Sequence, residues 1–109
     1  MDYDPGSLFQ TRCYVDHKGC SLAIDGKCFT NFVSSTVVEK LGLPLEPHYK
    51  PYRMTWMREF GNFKVTKQVL VPITQGRYSE DVWCDVVPLK SYHILLGKPW
   101  RRRREAIYD

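Results

Sequence analysis

The chain contains 109 residues, 43% of them hydrophobic and 14% aromatic, and it carries a formal net charge of +4. This length allows one domain with a single core, and this composition excludes an intrinsically disordered chain. Four of the 16 basic residues are consecutive arginines near the C-terminus, so the remainder of the chain balances its 12 acidic residues. Charge therefore does not mark the whole surface as a nucleic-acid-binding surface.

The N-terminal segment predicts no export. Residues 1–7 are acidic, contain Pro5-Gly6 and lack the apolar core of a signal peptide. No apolar run in the sequence approaches the length that spans a membrane. We therefore expect a flexible leader at residues 1–7, a single domain at residues 8–109, no membrane association and an intracellular, cytoplasmic location.

The four cysteines, Cys13, Cys20, Cys28 and Cys84, include no Cys-x-x-Cys pair. Without a secretion signal, free thiols are the expected state. A zinc site could be assembled from Cys13, His17, Cys20 and Cys28, but structural zinc sites usually take their ligands as close pairs on tight turns. These four residues are spread over predicted strands, so the sequence favours a protein without a bound metal.

The first elements in chain order predict a β-hairpin. Leu8–Val15 is rich in strand-forming residues, residues 16–19 predict a turn, and residues 20–24 predict the returning strand. Asp25 follows directly, and Gly26 then breaks the strand. An acid at the end of a buried strand is a common position for chemistry, although aspartate also often bonds the backbone amides of its own turn. The residues alone leave both interpretations of Asp25 open.

A short helix is predicted after this turn. Residues 30–33 predict a brief extended segment, the hydroxyl side chains at 34–36 offer N-cap oxygens, and residues 37–41 predict the helix itself. Gly42 is typical of a helix end. Residues 44–47 contain two prolines and predict an irregular connector.

From residue 52 onward the pattern predicts one strand after another. Residues 52–57 and 63–71 flank a polar turn and predict a second hairpin. Residues 78–87 alternate apolar and polar side chains, and residues 93–97 form an apolar run that ends in glycine. Residues 100–106 predict a second short helix. The chain is therefore predicted to be mostly β, closed or sandwich-like, with one or two short helices.

Five segments of the chain share a further resemblance. They are Asp25-Gly26 after its apolar strand, residues 30–44 with the helix end VVEKLGLP, KVTKQ at 64–68, CDVVP at 84–88, and HILLGKPW at 93–100. In this order they resemble the retropepsin-like aspartic protease domain of plant gypsy-type retrotransposon polyproteins, over roughly residues 8–109. Several short motifs in a shared order are more specific than any one of them.

The resemblance implies a closed β-barrel of the retropepsin type that works as a homodimer. Asp25 of each copy would supply one of two catalytic carboxylates, which share a proton because both cannot ionise together. One carboxylate would act as general base on the water between them, and the other would protonate the carbonyl oxygen of a polypeptide substrate. The resemblance implies no metal and no organic cofactor.

The resemblance also implies roles for the residues around Asp25. Gly26, Lys27 and Cys28 would complete the active-site loop. Beneath this loop, a support loop would consist of Ile94, Leu95, Leu96 and Gly97. A flap that closes over an extended substrate would have at its tip Glu59, Phe60, Gly61 and Asn62.

The active-site loop departs from the family pattern of Asp, then Thr or Ser, then Gly. Gly26 removes a hydroxyl that in the family bonds across the dimer. Lys27 replaces a glycine and adds bulk, and it adds about 1 kcal/mol of strain if the turn needs a positive φ. Its ammonium near the two carboxylates would also favour a doubly charged dyad, which has no proton to donate. If the Lys27 side chain instead points to solvent, this effect of its charge becomes small. We therefore expect reduced or absent peptidase activity.

Two other functions stay open from the sequence. The same fold could act as a catalytically inactive dimerisation or peptide-binding module with Trp56 and Trp83 in a groove, although large aromatic residues in strands more often belong to a core. The basic run could contact phosphates, but on a helix its side chains would point to all sides. A nucleic-acid partner is therefore not expected from the run of Arg101, Arg102, Arg103 and Arg104.

Overall fold

A computed structural model describes residues 8–55 and 61–97 of the chain. Seven strands and one helix make up this part of the chain, so the prediction of a mostly β domain is confirmed. The predicted leader at 1–7 and the predicted helix at 100–106 lie outside the described residues. The elements are β1 (Leu8–Val15), β2 (Lys18–Asp25), β3 (Phe32–Ser34), α1 (Ser35–Leu41), β4 (Glu46–Met54), β5 (Phe63–Gln75), β6 (Tyr78–Val87) and β7 (Ile94–Leu96).

The strands pair into a ring. Their order is β1-β2-β7-β3-β6-β5-β4, and β1 also pairs with β5 through Tyr14↔Thr74 and Val15↔Ile73. Six strands therefore close on one another, and β4 lies outside the ring along β5. Pro72 falls on β5 between the stretch that pairs with β4 and the stretch that pairs with β1, where its missing N–H leaves no gap in either ladder.

The first hairpin has a tighter turn than the sequence predicted. Residues 16–19 were expected to form the turn, but Lys18 and the glycine after it belong to β2. Asp16 and His17 both adopt positive φ angles, 48° and 67°. Two successive residues with positive φ make the two-residue turn whose twist matches that of the flanking strands. The ladder therefore continues to the pair Val15↔Lys18.

The helix α1 ends where the sequence predicted, but it begins at Ser35, two residues before the predicted start. The Ser34 hydroxyl accepts a hydrogen bond from the Thr36 backbone N–H at 3.2 Å and donates one to the Leu89 carbonyl at 3.2 Å. Gly42 ends the helix in the left-handed conformation, with a φ of 62°. Among residues 8–55 and 61–97 no helix has the length and apolar character needed to cross a membrane.

The edge strand β4 corrects the prediction of an irregular connector at 44–47. The strand begins at Glu46 and includes Pro47, because an edge strand leaves one side of its backbone without a ladder to maintain. Its register with β5 changes from Pro47↔Lys67 to Tyr52↔Val65, so β4 contains three more residues than β5 over this interval. We call residues 48–51 the β4 bulge.

The buried side chains form two clusters on opposite faces of the central strands. Along β2, β3 and β7, successive side chains alternate between the clusters, as strand geometry requires. The second cluster contains residues on both sides of Asp25 in the sequence and packs against the β4 and β5 arms. Its members are Ala23, Cys28, Phe32, Met54, Val65, Val87, Leu89 and Leu95.

Candidate active site

Asp25 is the last residue of β2 and is almost completely buried, with 3% of its surface exposed. Its Oδ1 accepts a hydrogen bond from the Lys27 backbone N–H at 2.9 Å, and its carbonyl accepts one from the Cys28 N–H at 3.1 Å. The carboxylate therefore bonds an amide of its own turn, as aspartate often does.

The loop after Asp25 accommodates its unusual residues without backbone strain. Neither Gly26 nor Lys27 adopts a positive φ, so the strain expected for a lysine at this position does not occur. The Lys27 side chain is exposed, whereas Cys28 is buried in the second cluster.

The strand β7 lies directly between the two strands that flank this loop. It runs parallel to β2 through Leu22↔Ile94, Ala23↔Leu95 and Ile24↔Leu96, and antiparallel to β3 on its other side. Gly97 follows, and a Cβ atom on it would lie 2.4 Å from the Thr30 carbonyl oxygen and 2.8 Å from the Cys28 carbonyl oxygen. The backbone of the Asp25 loop thus rests on Gly97 at a distance that no side chain would permit.

Asn31 ties the end of the loop to its support. Its Oδ1 accepts a hydrogen bond from the Gly97 N–H at 2.8 Å, and its Nδ2 donates one to the Trp83 carbonyl at 3.3 Å. Its own carbonyl accepts from the Asp85 N–H at 2.8 Å. Sequence reasoning placed Asn31 only in an extended segment. The signal available was a polar side chain immediately before the apolar pair Phe32-Val33, where a buried partner is required.

The residues expected at the flap tip are only partly described. Glu59 and Phe60 lie outside the described residues, as does Trp56. Gly61 has a φ of 54°, and the Asn62 Oδ1 accepts a hydrogen bond from Arg53 Nη1 at 3.1 Å. The strands β4 and β5 flank the expected flap tip and pair from Glu46↔Gln68 to Met54↔Phe63. Two paired strands therefore lead to the segment of chain that joins them.

A second polar group escaped sequence reasoning altogether. Asp85 is buried on β6, and its two carboxylate oxygens accept hydrogen bonds from His48 Nε2 at 2.9 Å and from the Tyr52 hydroxyl at 2.5 Å. Residues so far apart in the sequence give no spacing pattern, so their contact becomes visible only once β4 and β6 are placed.

The four cysteines are buried in places that do not form one site. Cys13, Cys20 and Cys84 lie in the first cluster, Cys28 lies in the second, and His17 is exposed at the hairpin turn. Cys13 and Cys20 pair across β1 and β2, but Cys28 lies apart from them. The described residues include no group of three or more His, Cys, Asp or Glu placed to hold a metal. Burial, reinforced by the Asp25 carboxylate, raises the pKa of Cys28 to about 12.

In this ring of strands, a buried aspartate ends one strand, and a second strand, followed by a glycine, packs under the aspartate's loop. This is the arrangement of a retropepsin-like protease domain. A model of the PEG10/RTL1 protease domain, a family of this retrotransposon-derived class, matches residues 21–109, and the chain belongs to that family. The match includes Asp25 and the support loop but not β1. No curated protein matches the chain.

We predict that Gly97→Ala destabilises the fold by about 1–3 kcal/mol, because the added methyl group would overlap backbone atoms that cannot rotate away. The measurement is the free energy of unfolding from denaturant titration. Gly19→Ala is the matched control, since its methyl group would lie 3.2 Å from the end of the flexible Arg12 side chain and 3.9 Å, an ordinary contact, from the Tyr14 ring. Equal stability of the two variants would contradict the close contact between Gly97 and the loop.

We also predict that alkaline pH destabilises the protein through its thiols. Burial raises the pKa of Cys13 from 9.0 to about 11 and that of Cys28 from 9.0 to about 12. The unfolded chain therefore loses these protons first, and the stabilisation is complete below pH 9 and is lost as pH rises toward 11 to 12. Denaturant titrations from pH 8 to pH 11 should show falling stability, with a shallower slope in Cys28→Ala. An identical slope in that variant would contradict the assignment.

Proposed function

We propose that this chain is a retrotransposon-derived aspartic endopeptidase domain that hydrolyses peptide bonds as a homodimer. The observation that supports the proposal most is Asp25, a buried carboxylate at the end of β2 with one oxygen held by its own loop. Membership of the PEG10/RTL1 protease domain family supports the same chemistry. The finer assignment to plant gypsy-type elements and to a closed retropepsin barrel is part of this proposal.

The chemistry requires a second copy of the chain. Hydrolysis by this mechanism needs two carboxylates that share one proton, and the sequence contains a single Asp-Gly turn of this kind, at Asp25. In the proposed dimer, one Asp25 takes a proton from the water between the two carboxylates. The other donates its proton to the carbonyl oxygen of the substrate, and the water oxygen attacks the carbonyl carbon.

The environment of Asp25 suits this role because it fixes the carboxylate before substrate binds. The Lys27 N–H holds Oδ1, which orients the carboxylate. The loop itself is held by Gly97 and Asn31 beneath it. Preorganisation of this kind avoids reorganisation when the reaction begins.

Two residues of the loop support the reduced activity that we propose. Gly26 offers no hydroxyl for a bond across the dimer. Lys27 adds bulk two residues from the carboxylate, and because its side chain is exposed, solvent screens its positive charge. Because Lys27 does not adopt a positive φ, we attribute its effect to bulk and not to backbone strain.

We predict that concentrated protein cleaves unstructured peptides at mildly acidic pH in a pepstatin-sensitive reaction that Asp25→Asn abolishes. Lys27→Gly should raise kcat/KM by about tenfold, the change that ~1.4 kcal/mol of barrier produces. Lys18→Gly, which alters an exposed lysine at the start of β2, the strand that ends at Asp25, serves as control and should leave kcat/KM unchanged. Cleavage that survives in Asp25→Asn would contradict the proposed mechanism.

The alternative is a catalytically inactive dimerisation or peptide-binding module with the same fold. It is favoured by exposed aromatic side chains, since Phe29 in the loop after Asp25 is 72% exposed and Trp83 on β6 is 48% exposed. Retention of peptides by the immobilised protein, unchanged in Asp25→Asn and lost in Phe29→Ala, would favour this module. The proposed partners are a second copy of the chain and a polypeptide, and residues 101–104, which lie outside the described residues, remain a weak indication of nucleic acid.

A further inference from the structure

Asp85 connects the Asp25 loop to the outer arm of the second hairpin. Its backbone N–H donates to the Asn31 carbonyl at 2.8 Å, at the end of the Asp25 loop. Its side chain points to β4, where His48 and Tyr52 each bond one carboxylate oxygen. A single residue of β6 therefore contacts both of the segments between which a bound peptide would lie in the proposed function.

The hydrogen bonds define the state of each partner. His48 Nδ1 accepts a hydrogen bond from the Lys50 backbone N–H at 2.9 Å, so this nitrogen carries no proton. His48 is therefore the neutral tautomer with its proton on Nε2, which donates to Asp85 Oδ1 at 2.9 Å. Burial, followed by the hydrogen bond to Asp85, raises the pKa of Tyr52, so its hydroxyl stays a donor.

The two partners stand at the two ends of an irregularity in β4. His48 begins the β4 bulge, and Tyr52 is the residue at which pairing with β5 resumes. Between Pro47↔Lys67 and Tyr52↔Val65 the ladder does not determine the path of the backbone. The bonds from His48 and Tyr52 to one carboxylate, together with the bond from Lys50 to His48, supply the constraint that the ladder lacks.

The energetics favour a role in fixing geometry. The side chains of His48 and Asp85 are only 6% and 10% exposed, so the carboxylate has lost most of its hydration. Two hydrogen bonds to an ionised acceptor offset that cost. An apolar residue would fill the same space without the cost, and a buried polar network that is fully bonded instead specifies one arrangement of the strands that it joins.

We propose that Asp85 is a positioning residue, which fixes the β4 arm of the second hairpin relative to the Asp25 loop through His48 and Tyr52. The effect of the β4 arm's placement on peptide binding rests on the proposed function. The placement of the arm by Asp85 does not, because it follows from contacts among described residues. Loss of either partner should free the β4 arm while the Asp25 loop stays on its Gly97 and Asn31 contacts.

The test compares Tyr52→Phe and Asp85→Asn with two matched controls, Tyr14→Phe and Asp81→Asn, which alter exposed residues on β1 and β6. Hydrogen exchange should become about tenfold faster or more in residues 46–54 of both test variants, as expected for the loss of a bond to a charged acceptor. Exchange in residues 18–31 should stay unchanged, and the controls should match the wild type. Tyr52→Phe removes a single hydroxyl, so it decides the matter if Asp85→Asn does not fold.

Unchanged exchange at 46–54 would overturn the proposal, and so would an equal increase throughout the chain, because that would assign Asp85 to general stability.

In peptide cleavage, the freed arm should raise KM several-fold with little change in kcat, the pattern of lost uniform binding. A several-fold fall of kcat with unchanged KM would also overturn the proposal. If the wild-type protein cleaves no peptide, the proposed function fails, whereas the exchange experiment still decides the role of Asp85.

Discussion

The close approach of the Gly97 backbone to the Cys28 and Thr30 carbonyls is the contact on which the rest of the site depends. A Cβ atom at Gly97 would lie 2.4 Å from the nearer carbonyl oxygen, so glycine is required there for steric reasons and not for its φ. The contact holds the loop of Asp25 against β7. Because β7 pairs with both β2 and β3, the strands before and after the loop are fixed by the same short segment.

From this contact, hydrogen bonds extend across the domain. Gly97 donates to Asn31, the Asn31 carbonyl accepts from Asp85, and the Asp85 side chain accepts from His48 and Tyr52 on the outer arm. Each link joins strands that are distant in sequence. The proposed aspartic protease chemistry and the proposed role of Asp85 therefore draw on one continuous framework, although they can fail separately.

Local patterns in the sequence predicted what local physics determines. The alternation along β6 and the caps Ser34 and Gly42 gave the element boundaries because side-chain period and capping oxygens act over a few residues. The length of the turn at Asp16 and His17 was misjudged because neither residue indicates a positive φ as glycine does. The start of β4 was misjudged because proline is excluded from central strands but tolerated at an edge. The bonds of Asp85 depend on register between distant strands, which no local pattern contains.

The most direct test of the central claim is the dependence of peptide cleavage on chain concentration, with light scattering on the same samples. If paired Asp25 carboxylates hydrolyse the peptide, the cleaving species has twice the 12.8 kDa mass of one chain. The cleavage rate should then rise with the square of concentration while monomers predominate. A rate that stays proportional to concentration, from a species with the mass of one chain, would contradict the account.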